Sequence, residues 1–103
     1  MEIEIKPLDQ CKTLQDLFAD PKRWTAGNFA RDFSGKGVSS YDKEAVSFCL
    51  IGGLNRIYTD MSARLEALGR IRNEVSDSLT ELFSFNDESS YEDIRLLVKK
   101  LNI

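Results

Sequence analysis

The residues best equipped for chemistry cluster in Trp24-Thr25-Ala26-Gly27-Asn28-Phe29-Ala30-Arg31-Asp32. Arg31 carries a planar fork that grips carboxylates and phosphates through two parallel bonds. Asp32 beside it is an acceptor, and Trp24 offers a flat face for stacking on a ligand or partner. A second pair, Asn86-Asp87, precedes the expected start of the last helix. Trp24, Arg31, Asp32, Asn86 and Asp87 are therefore the binding candidates. Each also has a structural reading, and that reading is preferred. Trp24 is then a core plug. Arg31 forms an ion pair with Asp32 or Asp87 that ties a hairpin to the helices. Asn86-Asp87 forms an Asx-type turn that caps backbone amides.

The same inventory excludes much chemistry. The chain has no His, and His is the commonest general base and metal ligand. Ser-His-Asp and Cys-His catalysis are thus impossible within one chain. Cys11 and Cys49 lie far apart in apolar contexts, which suits buried free thiols rather than a zinc site. Neither a P-loop nor a dinucleotide fingerprint occurs, and Gly35-Lys36-Gly37 is too short to cradle a phosphate. Nothing places two carboxylates together for hydrolysis. No catalytic residue, metal or cofactor is expected, and an enzyme is the least favoured class.

Charge narrows the partners. Fourteen basic against 17 acidic residues leave a net charge of −3. A nucleic-acid binder shows a basic patch or stripe, and none is evident, so no direct nucleic-acid binding is expected. Acidic runs are too short for a DNA mimic. The opening Met1-Glu2-Ile3-Glu4-Ile5 is acidic and short, unlike a secretory leader. No apolar run approaches the ~20 residues of a membrane helix. A soluble, cytoplasmic protein is the expectation.

The elements that must position these residues follow from periodicity. With 103 residues, the chain suits one small domain spanning 1–103. Ile3 and Ile5 alternate with charges, predicting a short strand or arm over 1–7, closed by Pro7. Leu8, Cys11, Leu14, Leu17 and Phe18 predict a helix over 9–19, ended by Asp20-Pro21. Residues 25–38 read as a short irregular β-hairpin around Gly35 and Gly37. Asp42 is the expected N-cap of a central helix carrying Val46, Cys49, Leu50, Leu54 and Ile57. Gly52 and Gly53 inside it imply close approach of another element. Residues 59–83 read as two helices broken at Gly69, near 60–69 and 71–83, or as one long helix. Residues 84–89 read as a polar loop. Ser90 with Asp93, or Ser89 with Glu92, has capping-box spacing and opens a last helix with Ile94, Leu97, Val98 and Leu101 inward.

The motif Asp20-Pro21-Lys22-Arg23-Trp24-Thr25-x-Gly27-x-x-Ala30-Arg31-Asp32-x-x-Gly35 is similar to a signature in a family of small uncharacterised bacterial and phage proteins. Asp42, Ala45, Val46, Cys49, Leu50 and Gly52 resemble its middle motif. Phe85-Asn86-Asp87, Ser90, Ile94 and Leu97 resemble its last one. The chain departs from that pattern at Phe85, where the family carries Trp, at Lys43, where it carries Pro, and across 59–83. The family is a domain of unknown function, so the resemblance implies a fold and a bacterial or viral source rather than an activity.

The reading is a mainly α, compact single domain of four to five helices with a small irregular β-hairpin. Its expected function is non-enzymatic binding of a protein partner through an exposed helical face, as an adaptor or accessory protein. The alternatives are a phage-type inhibitor of a host defence enzyme, and a small-ligand or nucleotide-signal binder using Arg31 and Trp24.

Overall fold

Side-chain caps punctuate this chain more strongly than its apolar period does. Thr13 accepts the Asp16 amide at 3.1 Å and opens α1, Leu14–Leu17. The structure, a computed structural model, describes residues 6–103. The strand or arm expected over 1–7 falls mostly outside the described residues. The helix expected over 9–19 is not one piece. A 3-10 turn at Leu8–Gln10 is followed by extended Cys11, and α1 begins only after Thr13. A hydroxyl that bonds its own local backbone competes with helix continuation, so the Leu8–Phe18 period spans two separate turns. Asp20 caps a further 3-10 turn at Pro21–Arg23.

The expected hairpin is present as β1, Ala30–Asp32, and β2, Gly37–Val38. A third strand, β3 (Ala45–Phe48), replaces the first turns of the helix expected from Asp42. The order is β2-β1-β3 and every pairing is antiparallel, with Ala30 opposite both Val38 and Phe48. Asp42 is no helix cap; its carboxylate accepts the Glu44 amide at 2.8 Å and makes a tight turn into β3. In a segment this short, Val46 outside with Ala45 and Ser47 inside fits period two as well as period 3.6.

The central helix, α2, is Leu50–Ile57. Its two glycines lie where the expectation placed a close approach. A Cβ at Gly52 would stand 2.0 Å from the Phe29 carbonyl oxygen. A Cβ at Gly53 would stand 2.8 Å from Leu17 and 3.0 Å from Phe18. The hairpin and α1 can therefore clasp α2 from two sides.

Gly69 does not break the next helix. α3 runs through it from Met61 to Glu74, capped by Asp60. The break falls at 75–78, where Ser78 caps α4, Leu79–Glu88. The polar loop expected over 84–89 is therefore the last turn of α4. α5, Tyr91–Leu101, starts on the foreseen Ser90–Asp93 capping box and ends at left-handed Asn102. Ile94, Leu97 and Val98 are buried, with Leu101 packed at the margin.

Phe18, Phe48, Leu50, Leu54, Ile71 and Leu82 are fully buried and join all layers in one core. The radius of gyration is 12.5 Å, against about 13 Å for a compact chain of 100 residues. The molecule is a single mainly helical globule with a small three-stranded antiparallel sheet.

Candidate functional site

Asn86 is the hub of the recognisable motifs. It sits in the last turn of α4 and is fully buried. Its Oδ1 accepts the Trp24 indole N–H at 2.9 Å and the Leu50 amide at 2.9 Å. Its Nδ2 donates to the Thr25 carbonyl at 3.1 Å and to Asp87 Oδ1 at 3.2 Å. The Asp87 carboxylate also accepts the Gly27 amide at 2.8 Å. Leu50 is the first residue of α2, so one side chain on α4 satisfies an orphan amide of another helix. The expected Asx-type turn is thus replaced by a tertiary clamp, because Asn86 lies in a helix and not in a loop. Trp24 is half-buried against the core, as a plug would be, and its one polar atom is spent on Asn86.

Arg31 and Asp32 form a second network, which meets the first at Thr25. Arg31 donates to Thr25 Oγ1 at 2.9 Å, to the Gly35 carbonyl at 2.9 Å and to the Ala26 carbonyl at 3.0 Å. The expected ion pair with Asp32 or Asp87 is replaced by these oxygens, which bind the loop before β1 to the turn after it. Asp32 accepts the Ser34 amide (2.9 Å), the Ser34 hydroxyl (2.7 Å) and the Lys36 amide (2.9 Å). Those bonds, the Ser34 hydroxyl first, hold the Asp32 carboxyl below its ordinary range. Gly35 has φ +89°, a left-handed conformation that the turn requires and side chains resist. Asn86 and Arg31 both bond Thr25, through its carbonyl and its hydroxyl, but Trp24 does not line the concavity that Arg31 lines.

The thiols are poor nucleophiles. Burial pushes the Cys49 thiol up, although the Gly52 amide bonded to its sulfur at 3.2 Å opposes the shift. Burial likewise raises Cys11, against the pull of the Arg23 guanidinium at 3.3 Å. A thiol held protonated at neutral pH reacts slowly. Among the described residues, no group of three His, Cys, Asp or Glu side chains could hold a metal ion. No described helix is long and apolar enough to cross a membrane.

What the polar motifs leave free is apolar and outward. Phe33, at the tip of the β1–β2 turn, is 96% exposed. Beside it a concavity of about 440 Å³ is lined by the apolar Phe33 and Val46, the cations Lys22, Arg23 and Arg31, and the carboxylates Asp20 and Asp32. On α3, Met61 is 60% and Leu65 58% exposed, one turn apart. A second hollow, of about 340 Å³, lies between Phe29, Phe83, Cys49 and Asp87. Its walls include an edge-to-face pair, Phe29 on Phe83, at 5.1 Å. Sequence reading missed Phe33. The available signal was an aromatic next to Ser34-Gly35-Lys36-Gly37, since the tip of a two-stranded hairpin has no core to point into.

The fold and this surface define a small mainly helical protein whose motif residues brace the scaffold. No protein-family model, curated protein or solved structure matches the chain.

Proposed function

We propose that this chain is a non-enzymatic, cytoplasmic binding protein that acts through contact with another protein. One observation carries the reading. The polar atoms of Trp24 and Asn86 are committed to internal bonds, while Phe33 stands in solvent on a hydrogen-bonded turn and Met61 and Leu65 on the Asp60-capped α3. Large apolar groups held outward on rigid backbone are the raw material of protein interfaces. The resemblance to small bacterial and phage proteins fits a scaffold of that kind. On this reading the Trp24–Asp32, Cys49–Gly52 and Asn86–Asp87 motifs preserve the fold, and recognition lies outside them.

The test compares two single-site photo-crosslinking variants in extract of the cells that express the chain. A crosslinker at Leu65 reports on the helical face, and one at Glu88, exposed at the end of α4, reports on a polar surface elsewhere. A discrete protein adduct at Leu65, absent at Glu88 and lost in Met61→Glu, is the expected result. Equal labelling at both positions overturns the helical-face reading.

A small-ligand reading has one observation in its favour. Arg31 lines the 440 Å³ concavity and uses only one N–H on each of its three nitrogens, out of five such donors. Saturable shifts of the Arg31 side-chain signals on titrating nucleotides or inorganic phosphate would favour it over protein contact.

A further inference from the structure

We propose that the Phe33 turn is a preformed anchor that inserts its ring into an apolar pocket of a partner protein whose rim carries carboxylates. The inference rests on the protein-binding reading above and names the element and the partner chemistry.

Three observations support it. The first is exposure without disorder of design. Phe33 is 96% exposed, yet the turn that holds it is closed by bonds within itself. The Asp32 amide donates to the Lys36 carbonyl at 2.9 Å and the Gly35 amide to the Asp32 carbonyl at 3.0 Å. Asp32 accepts three more donors from Ser34 and Lys36, and Arg31 holds the Gly35 carbonyl. An aromatic on a backbone already fixed loses little conformational entropy on binding, which is the main cost of a loop-borne anchor. The second is company. A lone exposed aromatic needs no explanation, but Phe33 shares its concavity with Val46, which is 43% exposed on β3. Ring and valine thus present an apolar knob beside a hollow, a surface another protein can interlock with.

The third is charge. Lys22, Arg23 and Arg31 line the hollow with Phe33, and Lys36 follows three residues along the same turn, in a chain whose net charge is −3. Two carboxylates share the hollow, Asp20, which accepts the Lys22 amide, and Asp32, which accepts the Ser34 and Lys36 amides. Lys22, Arg23, Arg31 and Lys36 against Asp20 and Asp32 leave the patch a modest excess of positive charge. Complementarity then calls for carboxylates around the receiving pocket, which would steer encounter and fix register. A membrane surface is the weaker match. One ring and a few cations amount to a marginal anchor, since stable anchoring at an anionic bilayer takes a longer chain or a larger basic cluster.

The experiment places p-benzoylphenylalanine at Phe33 in the full chain and, in a separate variant, at Leu65. Each is photolysed in extract of the expressing cells, and the crosslinked partner residue is mapped by mass spectrometry. The expected result is a Phe33 adduct to an apolar residue with Asp or Glu neighbours on the partner's surface. Wild-type chain should compete for it about 30-fold better than Phe33→Ala, the usual loss for a central aromatic anchor. Lys22→Glu with Lys36→Glu should weaken capture, and raising salt should do the same. Phe33→Leu should keep most of the binding, which separates apolar insertion from a folding defect.

An adduct on a surface without carboxylates overturns the proposal, as does equal competition by Phe33→Ala. Binding to vesicles with anionic lipid that is lost in Phe33→Ala, without a protein adduct, also overturns it in favour of a membrane. An adduct from Leu65 but none from Phe33 defeats this inference and leaves the protein-binding reading standing. No adduct from either position defeats both.

Discussion

Asn86 and Phe33 reverse the environments their side chains prefer. The amide is fully buried and the phenyl ring is 96% exposed. Both are held firmly, by different means. Asn86 makes three bonds that join α4 to the start of α2 and to the loop at Trp24, and a fourth to Asp87 of its own helix. The Phe33 turn is closed by bonds among its own residues, and Arg31 ties it to Thr25 and Ala26 in the loop before β1. A buried polar group is kept where it satisfies other buried groups. An exposed aromatic contributes nothing to the fold that a polar residue would not. The contrast separates residues that hold the molecule together from residues it displays.

Breaking the hub should have the largest effect. Asn86→Leu removes the acceptor of the Leu50 amide and the Trp24 indole and the donor to Thr25. Each buried group left without a partner costs about 1–3 kcal/mol. A loss of about 4 kcal/mol in urea unfolding is expected, or failure to fold. A loss below about 1 kcal/mol would mean that water or a shifted Gln-like partner replaces the amide, and that the hub is not the keystone described.

The close approach at Gly52 comes next. Gly52→Ala sets a methyl 2.0 Å from the Phe29 carbonyl oxygen, where backbone and not a flexible side chain must give way. Overpacking of this kind costs about 1–3 kcal/mol. Gly69→Ala is the matched control, because its Cβ meets nothing within 4 Å. Removing a helix-interior glycine there should raise stability by up to about 1 kcal/mol. Opposite signs for the same substitution, read from denaturant midpoints, are the expected outcome. A gain at both sites would show that the β1 loop yields to α2.

The same two glycines show what was legible in the sequence. Gly52 and Gly69 look alike as helix-interior glycines, and only tertiary packing distinguishes them. The capping box at Ser90 and Asp93 was readable because it is local, and the hairpin because its glycines dictate a turn. Strand β3 was not, since Ala45-Val46-Ser47-Phe48 satisfies both periods and its partner β1 lies fifteen or so residues away in sequence. Trp24, Arg31, Asn86 and Asp87 stand out in the sequence by residue type alone. The bonding of Asn86 is not legible there, because Trp24, Leu50 and Thr25 lie 62, 36 and 61 residues from it. Phe33 went unnoticed because hydrophobicity alone places a phenylalanine inside.

On the displayed side, Phe33→Ser should leave global stability within about 0.5 kcal/mol, as for surface positions away from special contacts. A loss above about 1 kcal/mol would show that the ring packs on its own molecule and would erase the distinction from the hub.

The smallest effect is a local one in pH, and it separates the two networks most finely. The folded Asp32 carboxyl lies below its ordinary value of 3.8, first through the Ser34 hydroxyl and then the Lys36 amide. Its contribution is therefore fully present above that ordinary value, and it is lost as pH falls through the lower folded value. The Ser34 and Lys36 amide signals should move and broaden below pH of about 4. The Leu50 amide, bonded to an Asn86 side chain that does not titrate, should hold its position through the same window. Asp32→Asn keeps an acceptor oxygen but removes the titration, so it should abolish the movement at Ser34 and Lys36. If Leu50 moves together with them, the turn and the hub are one cooperative unit. Phe33 is then braced by the whole core, and not by the bonds of its own turn.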